Sequence, residues 1–468
     1  MIFHPQNLIR GEGSFSLAKR VAAQAHPCMN APVLRELWRN FACQVSELEV
    51  RETTEYVFSI GGVSRLPLDG NEYSIHVTPD GVCVSAESAE ALKRGYLTLL
   101  DRFETVDRNG DTAVEIACCR IKDRALVANR MVHYCIFPET ELWELQRFVR
   151  LCGALKYTHI VLEFWGMLQY DCMRELSWSH GFTKDEVAPI IREANDLGME
   201  VIPMFNHWGH ASASRVMHGK HVVLDQNPAL QTYFSEDGWC WDIRLPKVRE
   251  LLRRIRCELI ELCGEGSYFH IGCDEAFNFE FTVENMDFLC DFINEIGEDL
   301  GACDRRPIVW GDMFLYRHAH YNPNNRYTCN APTPEVESYL LAHLSRACVI
   351  ADWQYRAPEA PVETVSVFKQ AGFDCLFCPW DEGRAQIETA LLTAREGGIM
   401  GYMHTTWHTL SAGMPKVLLM GVGGFEDIRG GKNVREATYT AALLRRVMPI
   451  GGKYERAGWS HFDVSDRW

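Results

Sequence analysis

From Asp123 onward the chain alternates short apolar runs with amphipathic helical stretches, and the alternation repeats eight times. The runs lie near residues 130–136, 158–164, 200–205, 268–273, 307–311, 348–353, 374–378 and 399–404. Runs that are apolar on consecutive residues suit strands buried on both faces, as in a parallel sheet covered by helices. The helical stretches supply that cover. Leu142, Leu145, Phe148, Val149, Cys152 and Leu155 make one apolar stripe, and Val248, Leu251, Leu252, Ile255, Leu259 and Leu262 make another. Thr183-Lys-Asp-Glu186 is a capping box, Gly198 is placed to stop the same helix, and Thr333-Pro334 reads as an N-cap with proline at the first helical position. An open doubly wound sheet would need a Gly-rich turn after its first strand, and this chain has none there. Eight such units predict an α/β fold closed into a (β/α)8 TIM barrel.

The residues before the barrel read as a small α/β domain over 1–120. Asn71 to Val77 alternates like a strand, Pro79-Asp80-Gly81 turns the chain, and Val82 to Ala86 returns. Ser88 caps a helix running to Phe103, with Ala91, Leu92, Tyr96, Leu99 and Leu100 on one face, and Ala113 to Cys119 adds a further strand. The barrel then occupies 121–430. A tail over 431–468 carries one helix near Val434 to Val447, expected to pack on the barrel or the first domain.

Composition excludes several classes of function. The net charge of −16 repels phosphates, so neither nucleic acid nor an anionic membrane is an expected partner. The first residues lack a basic segment followed by an apolar run, and no stretch is long enough to span a bilayer. With 18 cysteines in addition, a reducing, cytoplasmic setting is expected. Cys375-Leu-Phe-Cys378 is the one C-x-x-C pair, and it reads as buried thiols rather than a zinc or redox site. No cofactor and no metal are expected, and a homo-oligomer is left open.

Active sites of such barrels lie at the C-terminal ends of the strands. The fourth run ends Tyr268-Phe-His-Ile-Gly-Cys-Asp-Glu275. Two adjacent acids directly after an apolar strand are costly unless exposed or used, and Gly272 permits close approach of a neighbour. Asp274 and Glu275 are therefore the candidate catalytic pair. Glu163 is an acid inside the second apolar run that needs a partner or water there, and a site-lining, substrate-binding role is expected of it. His210, five residues past the third run, is placed to hydrogen-bond Glu275. His270 reads as a packing residue. Tryptophans recur near strand ends, at Trp165, Trp208, Trp310, Trp353, Trp380 and Trp407, and aromatic faces stack well on the apolar faces of sugar rings.

His270-Ile-Gly-Cys-Asp-Glu275 resembles the catalytic motif of glycoside hydrolase family 20, the β-N-acetylhexosaminidases, and its cysteine form resembles the hexosaminidase D branch. Val201 to Ala211, with Gly209-His210, is similar to the family's third-strand segment, and Asn71 to Phe103 resembles the small domain before its barrel. The resemblance implies substrate-assisted hydrolysis with retention. Glu275 would be the general acid and then the base, a role that requires it to hold a proton near neutral pH. Asp274 would orient the 2-acetamido group, and its charge would help Glu275 keep that proton by like-charge repulsion. Arg130 falls where the family has its sugar-binding arginine. Trp310, Trp353 and Trp407 match by order along the barrel. Trp380 would add to the aromatic wall, Tyr355 would donate to the acetamido oxygen, and Asp312 would touch hydroxyls or cap its loop. The expected partner is a glycan or glycoconjugate with a terminal β-linked GalNAc or GlcNAc.

Two departures stand out. Trp165-Gly166-Met167 replaces the Asp-rich segment that many members carry after the second strand, removing the expected acidic partner of the histidine. Trp407-His408-Thr409 replaces Trp-x-Glu after the eighth, leaving GalNAc against GlcNAc open with a lean to GalNAc from the hexosaminidase D likeness. Two other functions compete. A metal-dependent hydrolase would use His207, His210, His270 and Asp274, although their spacing is not a metal signature. A non-catalytic glycan-binding protein would keep the pocket, but intact Asp274 and Glu275 argue against it.

Overall fold

A computed structural model describes residues 2–211, 224, 227–324, 326–357, 360–407, 410–428 and 435–448. The N-terminal domain is a mostly antiparallel sheet of β1 (Asn7–Ser16), β2 (Arg20–Ala25), β3 (Glu47–Glu52), β4 (Val57–Gly61), β5 (Tyr73–Thr78), β6 (Gly81–Ala86), β7 (Phe103–Arg108) and β8 (Asp111–Asp123). Its order is β1-β8-β5-β6-β4-β2-β3, with β7 on β8. Helices α1 (Pro32–Phe41) and α2 (Ala89–Leu100) accompany the sheet, and Ser88 Oγ accepts the Ala91 amide at 3.1 Å as the N-cap. Sequence reading finds β5, β6, α2 and part of β8 but misses β1 to β4, β7 and α1. β1 and β3 are largely exposed, so they lack the apolar alternation that marks a strand. β8 also runs through residue 120 to Asp123.

All eight barrel strands form where expected. They are β9 (Asn129–Cys135), β10 (His159–Glu163), β11 (Glu200–Met204), β12 (Tyr268–Gly272), β13 (Arg306–Trp310), β14 (Val349–Asp352), β15 (Asp374–Phe377) and β16 (Gly401–His404). They pair in parallel in chain order, and β16 closes on β9. Around them stand α3 (Leu142–Ala154), α4 (Lys184–Asp196), α5 (Pro246–Cys263), α6 (Val283–Gly301), α7 (Pro334–His343), α8 (Glu363–Gln370), α9 (Arg384–Glu396) and α10 (Leu410–Gly423). Thr183 and Glu186 make the capping box of α4, Gly198 follows its C-cap at φ +87°, and Thr333 caps α7. A last helix, α11 (Glu436–Val447), packs against α10 and α3 of the barrel and α1 of the first domain. The rest of the tail lies outside the described residues.

Two-residue periodicity sorts the barrel side chains. Met131, Val161, Ile202, Met204, Ile308, Trp310, Val349, Ala351, Leu376, Cys378 and Met403 fill the interior. On that parity His133 follows Met131 and Glu163 follows Val161. Polar groups are therefore delivered to the upper interior, at the C-terminal ends of the strands.

Candidate active site

β12 does not run straight into its loop. Its pairing with β13 shifts between His270 and Gly272, a bulge of the kind found beside active sites. Gly272, Cys273 and Glu275 all have positive φ, at +68°, +75° and +49°. Such angles are uncommon outside glycine and redirect successive side chains. A Cβ on Gly272 would overlap the Asn206 side chain, and one on Gly209 would overlap the Asp274 carbonyl oxygen. These two glycines let the ends of β11 and β12 touch, which brings His210 over the acids. His210 Nε2 lies 2.9 Å from Glu275 Oε2 and 3.5 Å from Asp274 Oδ2. His210 therefore pairs with the acids themselves.

Asp274 is buried, and its Oδ1 has no hydrogen-bond partner among the described residues. Burial pushes its carboxyl up to about 6, with the Glu275 charge adding and His210 opposing. Asp312 is also buried and is pushed up to about 8, first by desolvation and then by the charges of Asp274 and Glu275. Its oxygens are already occupied. Oδ2 accepts the Glu275 amide at 3.0 Å and Asn330 Nδ2 at 2.7 Å, while Oδ1 accepts Trp353 Nε1 at 3.2 Å. The expected hydroxyl contact gives way to a brace that fixes Glu275 and Trp353.

The aromatic residues converge. Trp353 and Tyr355 rings are 5.2 Å apart, Tyr355 and Trp380 5.3 Å, and Trp310 and Trp407 5.6 Å. Trp407 Nε1 donates to the Tyr355 hydroxyl, which also lies 3.3 Å from Thr405 Oγ1. Trp310 is fully buried and forms the floor, with His270 packed on it at 4.4 Å. Glu163 is fully buried beside the site and lies 2.9 Å from His133 Nε2. Trp165 and Trp208 are buried in the surrounding core. His408 and Thr409 lie outside the described residues.

Arg130 does not line the site, contrary to the role that the family resemblance implies. It sits at the start of β9, at the opposite end of the barrel from Asp274, and is fully buried. It donates to the carbonyls of Val127, Ala128 and Lys156 and lies 4.7 Å from the Phe425 ring. Position within the run decides this: the second residue of a barrel strand belongs to the stability face. His207 likewise turns from the pocket, its Nδ1 2.6 Å from the Phe205 carbonyl, and its ring packs on Phe269. Among the described residues no three His, Cys, Asp or Glu side chains are arranged to hold a metal ion.

Sequence reading missed His133, Trp239 and Asn330. Trp239 Nε1 donates to the Glu275 carbonyl at 2.7 Å, and its ring lies 4.4 Å from that of His210. The signal for it was the long β11–α5 connection, since long loops on a barrel's upper face are usually functional.

Residues 162–354 match the family model for the glycosyl hydrolase family 20 catalytic domain. That span contains Glu163, His210, Asp274, Glu275, Asp312 and Trp353. The chain carries a family 20 glycoside hydrolase domain. Solved structures agree in fold. A chitobiase of Flavobacterium johnsoniae superposes with a TM-score of 0.68 at 15% identity, over 96% of this chain and 72% of that one. An exo-β-N-acetylglucosaminidase of Vibrio harveyi, in complex with N-acetylglucosamine, gives 0.65 at 14%, over 96% and 76%. A β-N-acetylhexosaminidase of Bacteroides fragilis gives 0.63 at 16%, over 95% and 94%. The glycoside hydrolase barrel and its preceding sheet domain are thus shared with these enzymes.

Proposed function

We propose that this glycoside hydrolase is a retaining exo-β-N-acetylhexosaminidase that uses its substrate's own acetamido oxygen as nucleophile. The observation that carries the reading is the buried, unpartnered Oδ1 of Asp274 beside a Glu275 carboxyl held by His210. An unsatisfied buried carboxylate oxygen is costly, and an acetamido N–H from the substrate would relieve it. Glu275 donates its proton to the glycosidic oxygen as the C1–O bond breaks. The acetamido oxygen bonds to C1, forming an oxazolinium ring, and ionised Asp274 accepts the N–H and balances the positive charge. Glu275, now a carboxylate, takes a proton from water while that water's oxygen adds to C1 and reopens the ring. Two inversions at C1 give net retention. Trp353 and Trp407 supply apolar walls above the buried Trp310, and the Tyr355 hydroxyl is a donor for the acetamido oxygen.

The test is hydrolysis of nitrophenyl β-GlcNAc and β-GalNAc side by side, which also measures the lean to GalNAc. Glu275→Gln should slow cleavage of a poor leaving group by several orders of magnitude, as expected for loss of a general acid–base. A folded wild type that turns over neither substrate would refute the reading.

A further inference from the structure

The long connection between β13 and α7 is tied to the end of β14 by one buried side chain. Gln354 is 1% exposed, and its amide is fully engaged. Its Oε1 accepts the Thr328 amide at 2.6 Å, while its Nε2 donates to the Thr328 carbonyl at 3.2 Å and to Asp352 Oδ1 at 2.8 Å. Gripping the N–H and C=O of one residue together, the side chain stands in for a neighbouring strand. Only one orientation of its amide fits, because the Thr328 N–H needs an acceptor. Asp352 is itself fully buried and is anchored by Thr364 of α8, whose Oγ1 donates to Oδ2 at 2.5 Å. Two residues beyond the clamp, Asn330 donates its backbone amide to the Asp312 carbonyl at 2.7 Å and its Nδ2 to Asp312 Oδ2 at 2.7 Å. The same Oδ2 accepts the Glu275 amide, and Oδ1 accepts Trp353 Nε1. Trp353 lies between Asp352 and Gln354 in the chain, so these contacts close a ring from Asp312 through Trp353, Gln354, Thr328 and Asn330 back to Asp312.

We propose that Gln354 is a positioning residue for Glu275, acting through Thr328, Asn330 and Asp312. The inference rests on the hexosaminidase reading, in which Glu275 protonates the glycosidic oxygen. Gln354 is closed off from solvent, so its effect reaches the substrate only through this chain of contacts. Asp312 Oδ2 is shared by two donors, and Asn330 fixes where that oxygen stands. The Glu275 amide follows it. Releasing Thr328 frees the segment that carries Asn330, and the left-handed backbone at Glu275 then loses a fixed anchor. Displacing a proton donor is costly, because transfer to a leaving oxygen requires hydrogen-bond contact.

The experiment compares two β-N-acetylhexosaminides that differ only in leaving group. An alkyl glycoside departs only when protonated, whereas a dinitrophenyl glycoside departs without a proton. For both, kcat/KM reports cleavage of the glycosidic bond. Gln354→Met keeps the volume and removes the clamp. It should lower kcat/KM on the alkyl glycoside about tenfold and stay within about twofold of wild type on the dinitrophenyl glycoside. Asn330→Ala, which removes the next link, should show the same dependence on leaving group. The double variant should lose no more than about the larger single loss, since links of one chain are not additive. An unchanged rate on the alkyl glycoside, equal losses on both substrates, or additive losses in the double variant would overturn the positioning role while leaving the hexosaminidase reading standing. A folded wild type inactive on both glycosides would overturn the two together.

Discussion

Asp312 Oδ2 accepts the backbone amide of Glu275 at 3.0 Å, so a carboxyl group on the fifth barrel strand's loop holds the proposed acid in place from behind. The bond matters because Glu275 occupies a left-handed backbone conformation, φ +49°, that a glutamate adopts only under constraint. The same Asp312 side chain fixes Trp353. One residue therefore couples the proton donor to the aromatic wall.

Asp312→Asn exchanges one acceptor oxygen for an amide that faces other donors. Leaving a buried donor without its acceptor costs about 1–3 kcal/mol. We expect kcat to fall roughly 10- to 100-fold at this cost, with KM changed far less. Steady-state kinetics beside a thermal melt make the comparison, and unchanged kcat in a folded variant would remove Asp312 from the account.

Asp274 links activity to stability through pH. Its carboxyl is raised to about 6 in the fold, above the ordinary aspartate value of 3.8. A raised carboxyl is stabilising in its protonated form, so its contribution is full below about 4 and is lost as pH rises through about 6. Asp274→Asn should therefore be more stable than wild type at pH 8, by on the order of 3 kcal/mol. The difference should vanish near pH 4, although activity is impaired throughout. Denaturant unfolding of both proteins at the two pH values reads this directly, and a variant less stable at pH 8 would contradict it.

Arg130 should behave as a structural residue. Replacing it by methionine removes donors to the Val127, Ala128 and Lys156 carbonyls inside the barrel base. Stability should drop by about 3–5 kcal/mol, in the range of a disrupted buried network. KM of the folded fraction should stay within about twofold. A tenfold rise in KM at unchanged stability would restore the sugar-binding role that the family resemblance implied.

His133 joins three strand ends. Its Nε2 lies 2.9 Å from Glu163, its Nδ1 accepts the Thr406 amide at 3.4 Å, and its ring packs 4.6 Å from Trp407. His133→Ala should loosen the Trp407 platform and strand a buried Glu163. KM should rise about tenfold and stability should fall by roughly 3 kcal/mol, with partial recovery in His133→Asn. Tryptophan fluorescence reports whether the platform has moved, and an unshifted spectrum with unchanged KM would count against this role.

Gly209→Ala would place a Cβ into the Asp274 carbonyl oxygen, so the β11 and β12 ends could no longer touch. Catalysis depends on sub-ångström placement, and a rate loss of at least about 100-fold is expected. If kcat/KM survives within tenfold, the close approach is not needed.

The eight barrel strands, the helix caps and the acid pair were legible because their signals are local. Apolar periodicity and a cap are written within a few residues, and Asp274 and Glu275 declare themselves by following an apolar run. His210 and the tryptophans could be placed on strand ends by counting alone. Arg130 was legible as a strand residue but not as one on the base of the barrel, because likeness to a family position does not say which end of a strand the side chain occupies. β1 and β3 escaped because largely exposed strands carry little hydrophobic alternation.

Local patterns in the chain suffice for a barrel with two acids at the end of its fourth strand. Tertiary structure alone decided what those acids touch. Strand pairing brings His133 of β9 to Glu163 of β10, and the bulge at Gly272 turns Glu275 toward His210 while its amide reaches Asp312. Loop docking then sets Trp239 against Glu275. Each pairing joins residues far apart in the chain. Its geometry depends on register and closure of the whole sheet, quantities that no local window of sequence contains.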